Sequence, residues 1–335
     1  MKVFRTHTLT GIDSLQLEQV AAPGPLASGE VRVAMRAASL NYRDLLALSG
    51  KLRAPEGGLA ALSDGAGEIT EVAPDVSHVK VGERVALTFN AGWIGGDWRA
   101  DAAHLNTRCC PLQGVMQEEM VVHHSEVVTL PSNLSFAEGA CLPCAGVTAW
   151  HALCAARPLQ PGMSVLLQGA GGVSTLGLQF AKAFGARVIM ISSSDERCER
   201  LKSLGADECI NYREEPEWQN RVRELTGGQG VDLSVDLGGA ATIDRTLGAT
   251  AMGGRMALVG LLGGWPDKLS SIFSASVDIT PVRVGSRDDF EAMNRAIAYQ
   301  RIQPVIDSRY GFEELPQALQ HLASGRQFGK IVIEF

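Results

Sequence analysis

A glycine-rich turn at residues 169–172 contains the residue types in this chain that most directly suggest a chemical role. The turn follows the apolar run Val165-Leu166-Leu167 and precedes a helical pattern, so a strand is predicted to end where a helix begins. Gly169 would permit a tight turn, and Gly171 would let the backbone approach a pyrophosphate that the helix N-terminus attracts. Because Ser174 replaces the third glycine of the usual fingerprint, the strand–turn–helix context carries the prediction of a dinucleotide site. The alternative is an ordinary turn without a ligand.

The end of the next predicted strand, residues 187–191, decides which dinucleotide is expected. In NAD enzymes an acidic residue about 20 positions past the turn binds the ribose 2′-hydroxyl. Ser192 holds that position here, and its hydroxyl could donate to a 2′-phosphate that Arg197 would pair with. NADP is therefore predicted. The alternative is a polar loop and helix cap, with Asp195 or Glu196 reaching the ribose.

Composition excludes several other classes of function. Hydrophobic residues make up 45% of the chain and charged residues 20%, as in water-soluble globular proteins. The formal net charge of −7 argues against a nucleic-acid partner. No apolar stretch is long enough to span a bilayer, and residues 1–5 lack the apolar core of a signal peptide, so a cytoplasmic protein is expected. The seven cysteines are accordingly expected to be thiols.

The elements that must position the glycine turn alternate between strand and helix, which predicts a parallel sheet covered on both faces. Residues 1–145 are instead rich in short strands and turns, and residues 283–335 are expected to fold back onto them. The predicted domains are thus 1–145, 146–282 and 283–335, the outer two forming one unit. In the central domain the strands are predicted at 165–168, 187–191, 208–210, 231–236 and 255–260, and the helices at 173–184, 195–204, 215–226 and 241–251.

Several motifs together resemble the medium-chain dehydrogenase/reductase superfamily over the whole length of the chain. Besides the glycine turn they are Ser39–Asp44, Asp64–Glu68, Val81–Val85, Cys144–Ala149, Leu204–Asp207 and Gly329–Val332. Within the superfamily the chain is most similar to zinc-free quinone and enone reductases and to alcohol-dehydrogenase-like proteins. The resemblance implies an α/β fold, with a central Rossmann domain of doubly wound parallel sheet and a GroES-like, mostly β catalytic domain made from both ends of the chain.

The resemblance also shows where a catalytic zinc ion would be bound. Zinc enzymes of the superfamily use a Cys, a His and a second Cys, and here these positions hold Asn41, Asp64 and Cys144. An amide is a poor ligand for Zn²⁺, and the cysteine loop that binds structural zinc in those relatives is absent. Neither a catalytic nor a structural zinc is predicted. Cys144 is expected to be a small residue beside the nicotinamide.

Reduction without a metal requires a positioned hydride donor and a hydrogen-bond donor for the substrate oxygen. The predicted catalytic residues are Asn41 and Tyr42, at the start of the first helix, together with Asp64. Arg43 is a further candidate, while Asp44 is expected to have a structural role as a partner of the helix start. For Tyr42, packing at the helix start is an equal alternative.

The predicted cofactor-binding residues come from both parts of the chain. Tyr212 resembles a tyrosine that flanks the adenosine phosphate in NADPH quinone reductases. Lys330 resembles a basic residue near the pyrophosphate, and a solvated strand lysine is the alternative. The full set is Cys144, Thr148, Gly169, Gly171, Gly172, Val173, Ser192, Ser194, Arg197, Tyr212, Gly260 and Lys330.

These observations predict an NADPH-dependent oxidoreductase that reduces quinones or activated alkenes. A zinc-free alcohol or aldehyde oxidoreductase and a non-enzymatic NADPH-binding protein are the alternatives. Residues 279–284 are predicted to form an apolar edge strand. Pairing of that edge with its own copy would cover it, so a homodimer is predicted, although Pro281 or another segment of the same chain would also protect the edge.

Overall fold

The structure is a computed structural model that describes residues 1–99, 106–155, 157–260, 264 and 275–335. Its contacts divide the chain into two compact units, Met1–Val147 with Gly285–Phe335, and Thr148–Val284. The boundaries predicted from the sequence lie after residues 145 and 282. Part of the predicted long loop 90–114, namely residues 100–105, lies outside the described residues. None of the described helices has the length and hydropathy needed to cross a membrane.

The strands of the described chain are β1 (Lys2–Thr6), β2 (Leu15–Gln19), β3 (Glu30–Ser39), β4 (Leu59–Ala60), β5 (Asp64–Val72), β6 (Arg84–Leu87), β7 (Glu119–His123), β8 (Val127–Thr129), β9 (Ser164–Gln168), β10 (Arg187–Ser192), β11 (Glu208–Asn211), β12 (Val231–Asp236), β13 (Thr250–Leu258), β14 (Asp278–Pro281), β15 (Ile306–Gly311) and β16 (Lys330–Glu334). The α-helices are α1 (Tyr42–Leu48), α2 (Phe136–Ala140), α3 (Val147–Cys154), α4 (Gly172–Ala183), α5 (Asp195–Ser203), α6 (Trp218–Leu225), α7 (Ile243–Ala249), α8 (Arg287–Gln300) and α9 (Leu315–Ala323).

The unit Thr148–Val284 is built on a six-stranded sheet in the order β11-β10-β9-β12-β13-β14, with every pair parallel. This is the 3-2-1-4-5-6 order of the Rossmann fold. The strands are apolar because both faces of such a sheet are covered, as the buried residues of β9 and β10 show. The predicted parallel sheet is therefore confirmed, and strand order reverses between β9 and β12, where such sheets bind ligands.

Three elements in this unit, α6, β13 and β14, have a boundary that differs from the prediction by three or more residues, and β14 ends at Pro281 rather than at residue 284. Helix α6 begins at Trp218 rather than at residue 215, because Pro216 disfavours helical backbone in the residue before it. Strand β13 begins at Thr250, within the predicted helix 241–251. The pairing of β13 with β12 shifts in register between Val231 and Leu233, and the two strands pair on both sides of this shift. Hydrophobic periodicity does not reveal such a shift.

The other unit contains a seven-stranded sheet with the path β15-β16-β3-β5-β6-β8, in which β7 also pairs with β3. A three-stranded sheet, β2-β1-β4, belongs to the same unit. Strand β16 pairs antiparallel with β3 and matches Val332 with Ser39, so the expected return of the C-terminal segment to the first part is confirmed. This pairing brings the start of β16 beside the end of β3, where helix α1 begins.

The expectation that all seven cysteines are thiols is wrong for one pair. Cys198 on α5 and Cys209 on β11 form a disulfide, with their Cα atoms 5.3 Å apart. Helix α5 packs against β11, and that packing brings together two residues 11 positions apart in the chain. Cys109, Cys110, Cys141, Cys144 and Cys154 are not part of this disulfide.

Candidate functional site

The glycine turn after β9 contains two glycines that are used for different reasons. Gly169 has a φ of +77°, which glycine adopts without the steric cost that other residues meet. Gly171 has ordinary extended backbone (φ −83°, ψ −175°) and directly precedes α4. A Cβ atom built on Gly171 would meet no protein atom within 4 Å. Neither backbone conformation nor packing within the described protein therefore requires glycine at position 171.

The N-terminus of α4 is open to an anion. Its N-cap residue, Gly171, provides no side-chain acceptor, and the N–H groups of a first helical turn have no partner within the helix. Ser174, at the position of the third fingerprint glycine, is buried and its hydroxyl donates to the carbonyl oxygen of Gln168. The serine thus binds the helix to the end of β9 by a hydrogen bond.

A buried polar network lies at the ends of β9 and β12, and it was not predicted from the sequence. Asp236 accepts hydrogen bonds from Gln168 Nε2 at 3.0 Å, Thr242 Oγ1 at 2.8 Å and the Gly239 N–H at 2.8 Å. Gln168 Oε1 in turn accepts from the Leu237 N–H at 3.1 Å. The network fixes the two strand ends that flank the strand-order reversal. The sequence feature that could have indicated this network is Asp236, an acidic residue at the end of a largely apolar strand.

The end of β10 differs in detail from the predicted phosphate site. Ser192 is 0% exposed, and its hydroxyl has no hydrogen-bond partner among the described residues, so direct contact with a cofactor would require this side chain to become accessible. Ser194 caps α5 by accepting from the Arg197 N–H at 3.3 Å. Asp195 accepts from Asn211 Nδ2 at 2.9 Å. Tyr212 is 39% exposed, and its N–H donates to the Ser192 carbonyl at 2.9 Å.

The unit made of Met1–Val147 and Gly285–Phe335, the first unit, contains a polar cluster of Asn41, Ser63, Asp64 and Lys330, of which all but Asn41 are buried. Lys330 Nζ donates to the Leu40 carbonyl oxygen and to Asn41 Oδ1, both at 2.6 Å, and lies 4.0 Å from Asp64 Oδ2. Asn41 Nδ2 donates to Ser63 Oγ at 3.2 Å, and Ser63 Oγ donates to Asp64 Oδ1 at 3.0 Å.

Residue 144 supplies backbone rather than side chain to this polar cluster. The Cys144 N–H donates to Asp64 Oδ2 at 2.9 Å. A π-helical turn, Leu142–Gly146, places this N–H toward β5. Asp64 is 0% exposed and Lys330 only 3%, so the alternative of a solvated lysine is wrong.

Helix α1 begins beside the polar cluster. Asp44 Oδ2 accepts from the Asn41 N–H at 2.7 Å, the reciprocal contact of a capping box. Tyr42 is 49% exposed, and its phenol makes no hydrogen bond within the described part of the chain. Arg43 Nη1 donates to the carbonyl oxygens of Arg108 and Cys109. Tyr42 is therefore the accessible donor of this helix start, while Arg43 has a structural function.

Burial dominates the electrostatics of these groups. It raises the pKa of Asp64, and the nearby Lys330 ammonium opposes that shift. Burial likewise raises the pKa of Asp44 to about 6, against the effect of Arg43. The pKa of Cys144 is raised to about 12, chiefly by desolvation. Cys144 is consequently a neutral thiol near pH 7, not a nucleophilic thiolate.

The remaining predicted cofactor residues lie in the Rossmann unit. Thr148, its first residue, is buried, and Gly172 and Val173 form the first turn of α4. Gly260 follows β13, where a Cβ atom would come within 2.4 Å of the Leu237 carbonyl oxygen. Close backbone packing therefore accounts for this glycine, and its predicted contact with a cofactor stays a prediction.

The residues at the family's catalytic metal position do not fit a zinc ion. Asn41 Oδ1, the only oxygen of that amide, already accepts from the Lys330 ammonium, and Asp64 has hydrogen bonds to both oxygens. A buried cation 4.0 Å from Asp64 would repel Zn²⁺. Within the described residues there is also no group of three or more His, Cys, Asp or Glu side chains suited to a metal ion.

Comparison with known proteins identifies the family. Residues 27–132 match the family model described as alcohol dehydrogenase GroES-like domain, and residues 172–299 match zinc-binding dehydrogenase. A zinc-type alcohol dehydrogenase-like protein of Schizosaccharomyces pombe is 36% identical over 97% of this chain and 96% of its own. A putative alcohol dehydrogenase of Sinorhizobium meliloti 1021 is 37% identical, covers 100% of this chain and 98% of its own, and superposes with a TM-score of 0.90. The chain belongs to the medium-chain dehydrogenase/reductase superfamily.

Two further solved structures carry different activities in their names. An NAD-dependent alcohol dehydrogenase is 30% identical with a TM-score of 0.90, and covers 100% of both chains. A quinone oxidoreductase of Pseudomonas syringae is 26% identical with a TM-score of 0.85, and covers 100% of this chain and 99% of its own. The predicted superfamily and its GroES-like and Rossmann fold class are thus confirmed. The protein is an oxidoreductase of this superfamily that uses a nicotinamide cofactor.

Proposed function

We propose that this protein reduces quinones or activated alkenes with NADPH, by hydride transfer without a metal. The observation that carries the proposal is the Lys330 ammonium, which binds Asn41 Oδ1 and lies 4.0 Å from Asp64. Two of the three side chains that would bind zinc in the family's metal enzymes are instead hydrogen-bonded or ion-paired within the protein. Carbonyl polarisation then depends on hydrogen-bond donors, which suits substrates whose reduction requires no Lewis acid.

The Rossmann unit provides the features that a dinucleotide requires. The open space over Gly171 and the first turn of α4, with Gly172 and Val173, would accommodate the pyrophosphate. Arg197 and Tyr212 would flank a 2′-phosphate. Ser194 lies at the start of α5, the helix that contains Arg197. The pairing of Asp195 with Asn211 leaves that carboxylate partly occupied, which favours NADPH over NADH. A mycobacterial relative, 26% identical with a TM-score of 0.84 and full coverage of both chains, was solved in complex with NADPH.

When bound, the reduced nicotinamide would supply a hydride to the substrate. Negative charge then develops on the substrate's oxygen, and a donor within hydrogen-bond distance stabilises it. We assign this role to the Asn41 amide and the exposed Tyr42 phenol, whereas buried Asp64 would act by fixing the neighbouring donors. The contacts of Cys144, Thr148 and Gly260 with the cofactor stay predictions, and the buried Lys330 ammonium bonds to Asn41.

A zinc-free alcohol or aldehyde oxidoreductase is the second candidate. The relatives named as alcohol dehydrogenases favour it, and a primary alcohol could use the same Tyr42 phenol for proton transfer.

One experiment separates the candidates. Purified protein is titrated with NADPH and NADH, assayed for NADPH oxidation with panels of quinones, enones and aldehydes, and analysed for bound metal. We expect tighter binding of NADPH, turnover of quinones or enones, and well below one zinc per chain. Turnover confined to aldehydes would support the second candidate. Stoichiometric zinc whose removal abolishes activity would refute the metal-free mechanism.

We also propose a homodimer that pairs through β14. This strand bonds to β13 on one side and ends the described sheet order. An open edge invites pairing with a second copy, and twofold pairing closes the interface. Light scattering at micromolar concentration should give the mass of a dimer, and a monomer with or without NADPH would contradict the proposal.

A further inference from the structure

Lys330 is held in one position by its surroundings. It begins β16, where its N–H donates to the Val305 carbonyl at 2.9 Å. The preceding Gly329 has a φ of +92°, and a Cβ atom there would come within 2.3 Å of the same carbonyl oxygen. The backbone therefore fixes the position of the Lys330 Cα atom. The side chain is only 3% exposed, so the surrounding protein restricts the position of its ammonium.

The ammonium determines the orientation of the Asn41 amide. An asparagine side chain can flip because its oxygen and nitrogen are similar in size, but only the oxygen accepts a hydrogen bond. Lys330 has only donors, and it lies 2.6 Å from Asn41 Oδ1. The amide nitrogen must then point away from the ammonium, toward Ser63. A flipped amide would place two donors against each other.

The same contact strengthens Asn41 as a donor. The positive charge of Lys330 beside the amide oxygen polarises the Asn41 amide. This makes the N–H groups of the amide stronger hydrogen-bond donors, as in cooperative hydrogen-bond chains. One amide proton is directed at Ser63 Oγ, 3.2 Å from Nδ2. Asn41 is only partly buried, unlike Asp64 and Lys330, so its amide is the member of the polar cluster that a substrate could approach.

We propose that Lys330 is a positioning residue, whose ammonium orients and polarises the Asn41 amide so that this amide serves as the electrophile of a metal-free site. The inference rests on the proposed reduction of a carbonyl-activated substrate. It assigns to Lys330 a role in the chemical step that is distinct from binding the pyrophosphate. Lys330 acts on the substrate only through Asn41.

A double-mutant cycle tests this dependence. The variants are Lys330→Met, Asn41→Ala and the double variant, with Lys51→Met as a matched control, because Lys51 is an exposed lysine of the same unit. We expect Asn41→Ala to lower kcat about 100-fold, as does loss of an oxyanion donor. Lys330→Met should lower kcat about 10-fold in the parent and less than about 2-fold in the Asn41→Ala background, because coupled residues are non-additive. The Kd for NADPH should stay unchanged.

Several results would overturn the proposal. Independent, multiplicative effects of the two substitutions would show that Lys330 does not act through Asn41. A raised Kd for NADPH with unchanged kcat would place Lys330 at the pyrophosphate instead. If Lys330→Met does not fold, the cycle is run in the Asp64→Asn background, where no buried carboxylate loses its partner, and the same criteria apply.

A second readout needs no turnover and so separates this proposal from the proposed function. The side-chain amide signal of Asn41 in a ¹⁵N–¹H spectrum is identified by its loss in Asn41→Ala. It should shift in Lys330→Met and stay in place in Lys51→Met. An unmoved signal in Lys330→Met would refute the orientation by Lys330, whatever substrate the enzyme reduces.

Discussion

The glycine turn of the Rossmann unit and the polar cluster of the first unit are opposite kinds of site. At Gly171 nothing in the described protein uses the space beside the backbone, and no side chain caps the helix. Around Asp64, in contrast, protein groups bond to both carboxylate oxygens, and a lysine supplies the countercharge. We propose that a ligand completes the first site, whereas the buried charges of the second are balanced within the protein. Substitutions at the turn should therefore impair ligand binding without loss of stability, whereas substitutions in the polar cluster should also lower protein stability.

The largest effect should come from Gly171→Val. The backbone at this position suits valine, so the protein should fold, but the side chain would occupy the space proposed for the pyrophosphate. We expect the Kd for NADPH to rise at least about 1000-fold, or about 4 kcal/mol. Gly24→Val is the control, since Gly24 likewise has open space around its Cβ position. Unchanged NADPH affinity, measured by fluorescence titration, would show that the dinucleotide binds elsewhere.

The next largest effect should be a loss of protein stability when the charge balance of the polar cluster is changed. Lys330→Met leaves the buried Asp64 carboxylate without its countercharge, which should lower the free energy of unfolding by about 3 kcal/mol. Adding Asp64→Asn should recover much of this loss, because the amide needs no partner charge. Urea unfolding of both single variants and the double variant measures the coupling. Equal losses of unfolding free energy in Lys330→Met and in the double variant would contradict an ion pair between Lys330 and Asp64.

A smaller effect should appear with pH at Asp44. Burial raises the pKa of this carboxyl to about 6, above its usual 3.8. The folded protein therefore binds the proton more tightly than the unfolded chain, and the contribution of Asp44 to stability falls as pH rises from about 4 to 6. Asparagine can still accept from the Asn41 N–H and does not ionise. Asp44→Asn should thus gain about 2 kcal/mol relative to the parent between pH 4 and pH 7, measured by urea unfolding. A difference in unfolding free energy between Asp44→Asn and the parent that does not change with pH would contradict the raised pKa of Asp44.

The sequence predicted the glycine turn well because its signals are local. The apolar run of β9, the glycines and the helical pattern of α4 lie within about twenty consecutive residues, so their physical meaning does not depend on the rest of the chain. The parallel sheet followed from the same strand–helix alternation, and the resemblance implied that it is doubly wound. Proline chemistry at Pro216 and the irregular start of β13 account for two of the boundaries that differed.

The polar cluster could be predicted only in part. Asn41 and Asp64 were chosen by motif, but Lys330 lies 289 positions from Asn41, and no local pattern shows that a strand pairing brings them together. Burial of Ser192 and the bond between Cys198 and Cys209 are likewise products of packing. A hydroxyl at a strand end carries no sequence mark of whether it faces solvent or the core.

The pairing of β16 with β3 has a consequence for synthesis of the protein. The chain makes β3 early, then the whole of Thr148–Val284, and only afterwards the strand that pairs with residues 37–39. During translation the Rossmann unit can fold independently. In that time residues 37–39 can pair with β5 on one side, while the side that β16 will cover stays open. Such an edge can pair with another nascent chain. The first unit should therefore depend on chaperones longer than the second, although most of it is made first.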